Sequence, residues 1–287
     1  MKQSLLLAGI LGASLALPHA VFAEDAVLDK HSHPEEKGLA PAVVSAAEPA
    51  SPHTFTYNIG LFSQYIFRGL TQTGEELALQ GGVDYSHSSG FYAGVWASNI
   101  SWLEDSGPAG ASAYDNSSLE LDVYGGYRNT IGETGIGYDV GLLQYIYPGD
   151  NNNNWIEDAE TTEIYGALSY KWLQGKFSYI VSDDAWGTPD GQGTWYAEAN
   201  ANIPIGESGF TANLHVGRQE FDGGPSDIND RLYSYTDWKV GLTKSWSNGV
   251  NVGGYYTDTN AKKANWTDRS GQYLGDSQFT VFVQKTF

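Results

Sequence analysis

The last twelve residues of the chain alternate apolar and polar side chains. Phe279, Val281 and Val283 fall on one face of this segment, and Thr280 falls on the other. Such alternation places one face of a β-strand against an apolar phase and the opposite face against water. A strand that crosses a membrane needs about ten residues, so this segment is long enough to span one.

The start of the chain has the pattern of an export signal. Lys2 precedes an apolar run over residues 5–17, and Val21-Phe22-Ala23 has the small-residue pattern of a signal-peptidase site. We predict cleavage after Ala23, which makes residues 1–23 a signal peptide. A membrane anchor is the alternative, disfavoured because the run is short and has one basic flank. No later stretch approaches the ~18 apolar residues of a spanning helix, so any membrane insertion must use strands.

Residues 24–52 are rich in Ala, Pro, Glu and His and show no sustained period of either a strand or a helix. We predict that they form a disordered periplasmic leader. His31, His33 and His53 offer ligands for a metal ion, but histidines in a flexible tail are more often solvated. We therefore expect neither a metal site nor a cofactor.

Composition excludes several classes of function. The chain has no cysteine and a single methionine, the initiator, so disulfides and thiolate metal sites are impossible. Its formal charge of −19 becomes −20 when Lys2 is removed with the signal peptide. Such an acidic chain does not bind nucleic acid by neutralising phosphates, so we expect no nucleic-acid partner.

Alternating segments recur from residue 55 to the end of the chain, and twelve of them can be written down. The first covers residues 55–67, with Tyr65 and Phe67 on its apolar face. The orientation of residues 91–103 stays open, because both faces carry aromatic side chains. The connections alternate between short and mostly long, with residues 69–74 as the exception. Short periplasmic turns, longer outer loops and an even strand number are the rule for outer-membrane barrels.

These patterns predict an all-β fold, a transmembrane up-and-down antiparallel β-barrel of twelve strands over residues 53–287, in the bacterial outer membrane. A soluble β-sandwich or small barrel would also alternate apolar and polar residues. It is disfavoured because the strands are long, the long and short connections segregate, and aromatic residues gather beside the short turns. We also expect Phe287 to be recognised by the barrel-assembly machinery.

Two segments carry a resemblance to a known family. They are residues 59–73, IGLFSQYIFRGLTQT, and residues 78–99, ALQGGVDYSHSSGFYAGVWASN, and the match continues in residues 121–128 and 147–149. The chain resembles the TorF-type porins of proteobacteria from about residue 55 to its end. This resemblance implies passive transport across the outer membrane, and it identifies neither a solute nor any binding residue.

The polar faces of the predicted strands define candidate residues for the barrel lumen. Charges of both signs on these faces predict either a constriction that orients polar solutes or ion pairs that close the barrel. The candidates are Arg68, Asp84, Glu120, Asp122, Arg128, Asp139, Glu163, Lys171, Glu198, Asp237 and Lys239, with Tyr124, Tyr165 and Tyr196. Inward tyrosines also favour sugars or nucleosides as solutes, although tyrosine serves equally well to fill a wide barrel.

The long connections are strongly acidic, which predicts weak cation selectivity that fades as salt screens it. Alternatively, divalent cations bridge these acids to lipopolysaccharide, which with outer-membrane lipid and a small polar solute completes the expected partners. A closed barrel with a structural or adhesive role remains an alternative to a channel. A hydrolase is disfavoured, because neither His53, His87 nor His215 occupies a position expected for catalysis and no Gly-x-Ser-x-Gly run is present. We therefore expect no enzymatic activity and no catalytic residue.

Overall fold

The computed structural model describes residues 51–106, 112–151 and 156–287. The predicted signal peptide and nearly all of the predicted leader lie outside the described residues. Within the described ranges, no helix has the length and apolar character needed to cross a membrane.

The described elements are sixteen strands and two short helices. In chain order they are β1 (His53–Phe62), β2 (Ile66–Phe67), β3 (Leu70–Thr71), β4 (Ala78–His87), β5 (Phe91–Asn99), α1 (Trp102–Asp105), β6 (Tyr114–Asp115), β7 (Leu119–Thr130), β8 (Ile136–Ile146), β9 (Asp150–Asn151), β10 (Thr161–Tyr170), β11 (Leu173–Ile180), β12 (Trp195–Pro204), β13 (Phe210–Glu220), α2 (Ile228–Tyr233), β14 (Tyr235–Ser245), β15 (Val250–Thr259) and β16 (Gln278–Thr286).

Twelve of the strands form a closed antiparallel barrel. Each pairs with the strand before and after it in the chain, and β1 pairs with β16 to complete the circle, with Phe62 opposite Phe282. The two-residue strands β2, β3, β6 and β9 form two small ribbons outside this sheet. The predicted fold class and strand number are confirmed.

The outer surface of the barrel is an apolar belt. On β16, Phe279, Val281 and Val283 are each about half exposed or more, while Thr280 and Phe282 between them are buried. The same alternation holds along the other barrel strands, with tyrosines, glycines and charged residues on the inner faces. An apolar surface of this extent is unfavourable in water, at about 25 cal/mol per Å², and suits the hydrocarbon of a bilayer.

The connections differ in length at the two ends of the barrel. The short ones comprise residues 88–90, 131–135, 171–172, 205–209 and 246–249. At the opposite end the connections comprise residues 63–77, 100–118, 147–160, 181–194, 221–234 and 260–277. The first of these is longer than the predicted residues 69–74, so the exception to the alternation disappears.

Residues 63–73 fold into the barrel instead of extending its wall, and we call them the inserted segment. Strand β1 ends at Phe62, and the apolar residues expected on its outer face beyond this point lie inside, with Tyr65 only 3% exposed. A small hairpin pairs Ile66 with Thr71. At its tip Gly69 has φ +82°, and a Cβ there would approach Asp237 Cβ to 2.6 Å, so only glycine fits.

Inward tyrosine rings cover glycines of neighbouring strands. A Cβ placed on Gly94 would lie 2.5 Å from three atoms of the Tyr124 ring, and one on Gly141 would lie 2.5 Å from the Tyr165 hydroxyl oxygen. Strand β5 takes part in this packing: Tyr92 is buried inside the barrel while Phe91 is exposed outside. This arrangement settles the orientation that the sequence left open.

Candidate functional site

The lumen contains thirteen of the fourteen candidate residues. Arg68 is carried by the inserted segment. Twelve others lie on inner faces of barrel strands: Asp84, Glu120, Asp122, Tyr124, Arg128, Asp139, Glu163, Tyr165, Tyr196, Glu198, Asp237 and Lys239.

Lys171 is the candidate that lies elsewhere. It was expected on an inner face, but β10 ends at Tyr170 and β11 begins at Leu173. Lys171 is therefore in the turn between them, exposed, with φ +55° and its ammonium 5.2 Å from the centre of the Tyr170 ring. The alternation of β10 stops one residue before it, so the inner-face assignment does not hold.

Arg68 fixes the inserted segment to the barrel wall. Its guanidinium donates to Glu163 Oε1 at 2.5 Å on β10 and to Gln219 Oε1 at 2.8 Å on β13. The rings of Tyr196 and Trp186 lie with their centres 4.3 and 5.1 Å from its Cζ atom. Arg68 is 6% exposed, so this is a buried ion pair that joins the segment to strands on separate parts of the barrel wall.

Tyrosine hydroxyls hold most of the lumen carboxylates. Each pair joins a phenol donor to a carboxylate acceptor on another element, over 2.5–2.9 Å. The pairs are Tyr65 with Glu120, Tyr92 with Asp139, Tyr124 with Asp84, Tyr145 with Glu163, and Tyr196 with Asp237. A neutral phenol satisfies the hydrogen-bonding capacity of a carboxylate without cancelling its charge.

Asp122 differs from the other lumen carboxylates. It is 1% exposed, and neither of its carboxylate oxygens has a hydrogen-bond partner in the described structure. The carboxyl groups of Glu120 and Glu163 lie near it on the inner wall. Within the described ranges no group of three acidic, histidine or cysteine side chains is arranged to hold a metal ion. The inserted segment therefore faces a cluster of carboxyl groups, of which Glu163 is paired with Arg68.

His215 lies at the centre of a second buried network. Its Nε2 atom lies 2.9 Å from Asp237 Oδ1 and 3.0 Å from the Tyr196 hydroxyl, and its Nδ1 atom lies 2.7 Å from Asn200 Oδ1. Sequence reasoning placed His215 in mid-strand facing water. The structure places it on the inner face of β13 and 8% exposed, so its polar contacts come from the protein.

The long connections enclose a cavity of about 310 Å³ above the inserted segment, which we call the vestibule. Aromatic side chains dominate its lining, including Phe67, Trp186, Phe221, Tyr233 and Trp266. These residues come from four different connections without periodicity, so no sequence pattern indicates that they meet.

Trp186 has an unusual backbone in the vestibule wall. Its φ of +47° is a rare conformation for a bulky residue, and such strain costs about 1–3 kcal/mol. Its backbone N–H donates to Thr161 Oγ1 at 2.8 Å, and its ring contacts Phe67 and Phe221. Positions strained in this way cluster at ligand-binding sites, which marks the vestibule as a candidate site.

Several solved structures of outer-membrane proteins are similar to this chain in backbone architecture. The KdgM porin aligns with a TM-score of 0.48 and 9% identity, covering 81% of this chain and 99% of that one. An outer-membrane channel from Pseudomonas putida F1 aligns with a TM-score of 0.46 and 12% identity over 84% and 99% of the two chains. For the NanC porin the values are 0.44 and 12% over 82% and 99%.

These similarities concern the fold alone, and no solute follows from them. A comparison with curated proteins found no match to this chain. A family model does match, over residues 46–287, and its description reads bacterial protein of unknown function (Gcw_chp). Since this match covers most of the sequence, including the whole barrel, the chain belongs to the Gcw_chp family.

Proposed function

We propose that this protein is a porin-like channel of the bacterial outer membrane, through which small polar solutes diffuse with a weak preference for cations. The observation that carries the proposal is a charged lumen inside a closed barrel with an apolar outer surface. The predicted export signal, the short turns on the side of both termini and the resemblance to TorF-type porins support the same location and role.

The buried charges argue against a closed barrel with a purely structural role. Burying an ion pair such as Arg68–Glu163 costs desolvation energy, and well-packed apolar side chains in its place are often neutral or stabilising by about 1–4 kcal/mol. Burial of Asp122, whose carboxyl oxygens have no hydrogen-bond partner among the described residues, is more unfavourable still. A barrel that only needed to be filled would have no use for these groups, whereas in a channel they fix the inserted segment and add to the charge around the solute path.

The sign of the lumen charge supports cation preference. Seven carboxylates face the lumen, against the cations Arg68, Arg128, Lys176 and Lys239. Phenols donate to five of the carboxylates without cancelling their charge, and one of these five, Glu163, also pairs with Arg68, so carboxylates remain in excess inside the barrel. The acidic outer connections add to it by concentrating cations at the mouth, or they bind lipopolysaccharide through bridging divalent cations.

The inserted segment determines where selection takes place. It occupies the half of the lumen nearest the long connections, where Glu120, Glu163 and Tyr145 are almost completely buried. Residues on the inner faces toward the short turns, such as Asp84 and Arg128, are more exposed. In this proposal the inserted segment forms the narrow part of the solute path, and the inner faces toward the short turns form its wider part.

Planar-bilayer recordings in asymmetric salt test the channel and its selectivity together. We expect discrete conductance steps and a reversal potential that differs from zero with the sign of cation preference. This shift should be smaller at high salt, where charges are screened. In Asp122→Asn, which keeps the shape of the side chain and removes one of the seven lumen carboxyl groups, the shift should become smaller. Glu133→Gln, an exposed acid in a short turn, is the matched control and should leave the shift unchanged.

Two results would count against the proposal. An anion-shifted reversal potential would contradict the cation preference. An absence of steps from protein whose folded state is verified by heat-modifiable migration in gels would favour the closed, structural barrel.

A further inference from the structure

We propose that the vestibule binds a neutral saccharide before it enters the lumen. This inference deepens the proposed channel function by assigning a solute class to a specific site. It rests on three properties of the vestibule: the arrangement of its aromatic rings, its free hydrogen-bonding groups and the near absence of charge.

The aromatic rings present several faces at large angles to one another. Trp266 contacts Phe221, Tyr233 and Tyr235 with ring centres 5.5–6.0 Å apart and interplanar angles of 53–78°. Trp186 meets Phe221 at 67°. The C–H faces of a pyranose ring pack against aromatic faces set around it in this way. A planar base would instead be held between two parallel rings, an arrangement that these contacts do not provide.

Hydroxyl-binding groups accompany the rings. The amide nitrogen of Asn265 donates to the Leu232 carbonyl at 2.7 Å, and that of Gln72 donates to the Leu70 carbonyl at 3.1 Å. Both side chains thereby keep their carbonyl oxygens as acceptors. Thr188 and Tyr233, which also line the vestibule, contribute hydroxyl groups that donate or accept. A ligand with many hydroxyl groups matches this mixture.

Charge excludes an acidic ligand. Among the described residues that line the vestibule there is no Lys, Arg or His, and Asp268 is the charged member. Arg68 lies beneath the floor, where its guanidinium is already engaged by Glu163 and Gln219. The charged group of an anionic sugar would lose its hydration there without gaining an ion pair. A neutral sugar has no charge to desolvate.

Tryptophan fluorescence of the full-length protein in detergent tests the site directly. We expect glucose and maltose to change the fluorescence saturably, and glucuronate, choline and uridine to do so at much higher concentrations. In Trp266→Leu the apparent dissociation constant should rise at least about tenfold. Trp246→Leu removes a half-exposed tryptophan from a short turn and should leave it within about twofold.

A second variant tests the site even if Trp266→Leu does not fold. Tyr233→Phe deletes one hydroxyl group and keeps the ring, so we expect weaker sugar binding with unchanged heat-modifiable migration. Absence of saturation by neutral sugars up to about 100 mM would overturn the proposal. Tighter binding of glucuronate, choline or uridine, or equal loss in Trp246→Leu, would also overturn it.

Bilayer recordings separate this proposal from the proposed function. Conductance steps without sugar binding would refute the saccharide site and leave the channel standing. Saturable sugar binding without conductance steps would refute the channel and support a barrel that binds saccharide at its surface.

Discussion

At the scale of single residues, Arg68 connects the inserted segment to several strands of the barrel wall. Its guanidinium joins the inserted segment to Glu163 and Gln219, and aromatic rings cover it, including that of Tyr196. Arginine suits this position because its planar guanidinium can pair with a carboxylate and stack on aromatic rings at the same time. Its own backbone, at φ +46°, is held in a conformation that non-glycine residues rarely adopt.

Arg68→Met should destabilise the protein and widen the channel. The substitution leaves Glu163 buried without its cation, a loss of about 3–5 kcal/mol, and releases the inserted segment from the wall. We expect a lower urea midpoint and a larger or noisier single-channel conductance. Adding Glu163→Gln should restore part of the stability, because the uncompensated charge is then removed.

Arg218→Met is the matched control for this prediction. Arg218 pairs with Glu220 at 2.6 Å, but the two side chains are 40% and 30% exposed, so their interaction contributes at most about 1 kcal/mol. If the two arginine substitutions change the urea midpoint and the conductance equally, burial of the Arg68–Glu163 ion pair does not explain the effect of Arg68→Met.

At the scale of elements, the inserted segment is an addition to a barrel that is complete without it. Phe62 at the end of β1 lies opposite Ala78 at the start of β4 in the sheet, so the two strands are already adjacent where the segment leaves and returns. A tight turn can join antiparallel neighbours at this distance. The constriction and the wall are therefore separate parts of the chain.

Replacement of residues 63–77 by a short Asn-Gly turn should open the lumen without preventing barrel formation. We expect heat-modifiable migration to persist and single-channel conductance to rise several-fold, because the side chains that fill the upper lumen are removed. Unchanged conductance in a folded variant would show that the inserted segment does not limit the passage of ions.

The inserted segment also shows where prediction from sequence fails. Alternation continues past Phe62 through Tyr65 and Phe67, and an apolar residue facing lipid has the same pattern as one packed inside the barrel. At Lys171 the alternating pattern continues in the sequence, but the strand has already ended at Tyr170. Most other inner-face assignments hold because lipid and water impose a strict period of two along the strands.

At the scale of the whole molecule, closure depends on the last strand. Strand β16 pairs with β15 and β1, and Phe287 follows it with its N–H donating to the Tyr57 carbonyl at 2.9 Å. The phenyl ring itself is 67% exposed and contributes little to packing. We propose that the assembly machinery recognises this exposed ring.

Phe287→Ala should impair assembly in cells more than folding in vitro. We expect a several-fold lower amount in the outer-membrane fraction and an unchanged yield on refolding into detergent. Phe279→Ala is the matched control, because this ring lies on the same strand and is 64% exposed. If both substitutions lower the membrane fraction equally, general loss of apolar surface explains the effect and the terminal position has no special role.

The closed barrel and its number of strands could be predicted from sequence, whereas the inserted segment and the vestibule could not. Twelve strands follow from a local rule repeated along the chain, with turns between them that repeat their own pattern of lengths. Trp186, Phe221 and Trp266 lie on separate long connections, and their meeting depends on how those connections fold over one another. No spacing in the sequence reports such a contact.

The width of the barrel interior depends in part on glycine residues of the wall. Tyr92, Tyr124 and Tyr165 occupy the space that side chains at Gly126, Gly94 and Gly141 would otherwise take. A methyl group at Gly94 would displace the Tyr124 side chain, whereas one at Gly126 or Gly141 would also meet a backbone oxygen, of Val140 or Gly125, and disturb the sheet. Gly94 is thus the position at which one added methyl group would change the space inside the barrel through a side chain alone, and it is a starting point for engineering a nanopore from this scaffold.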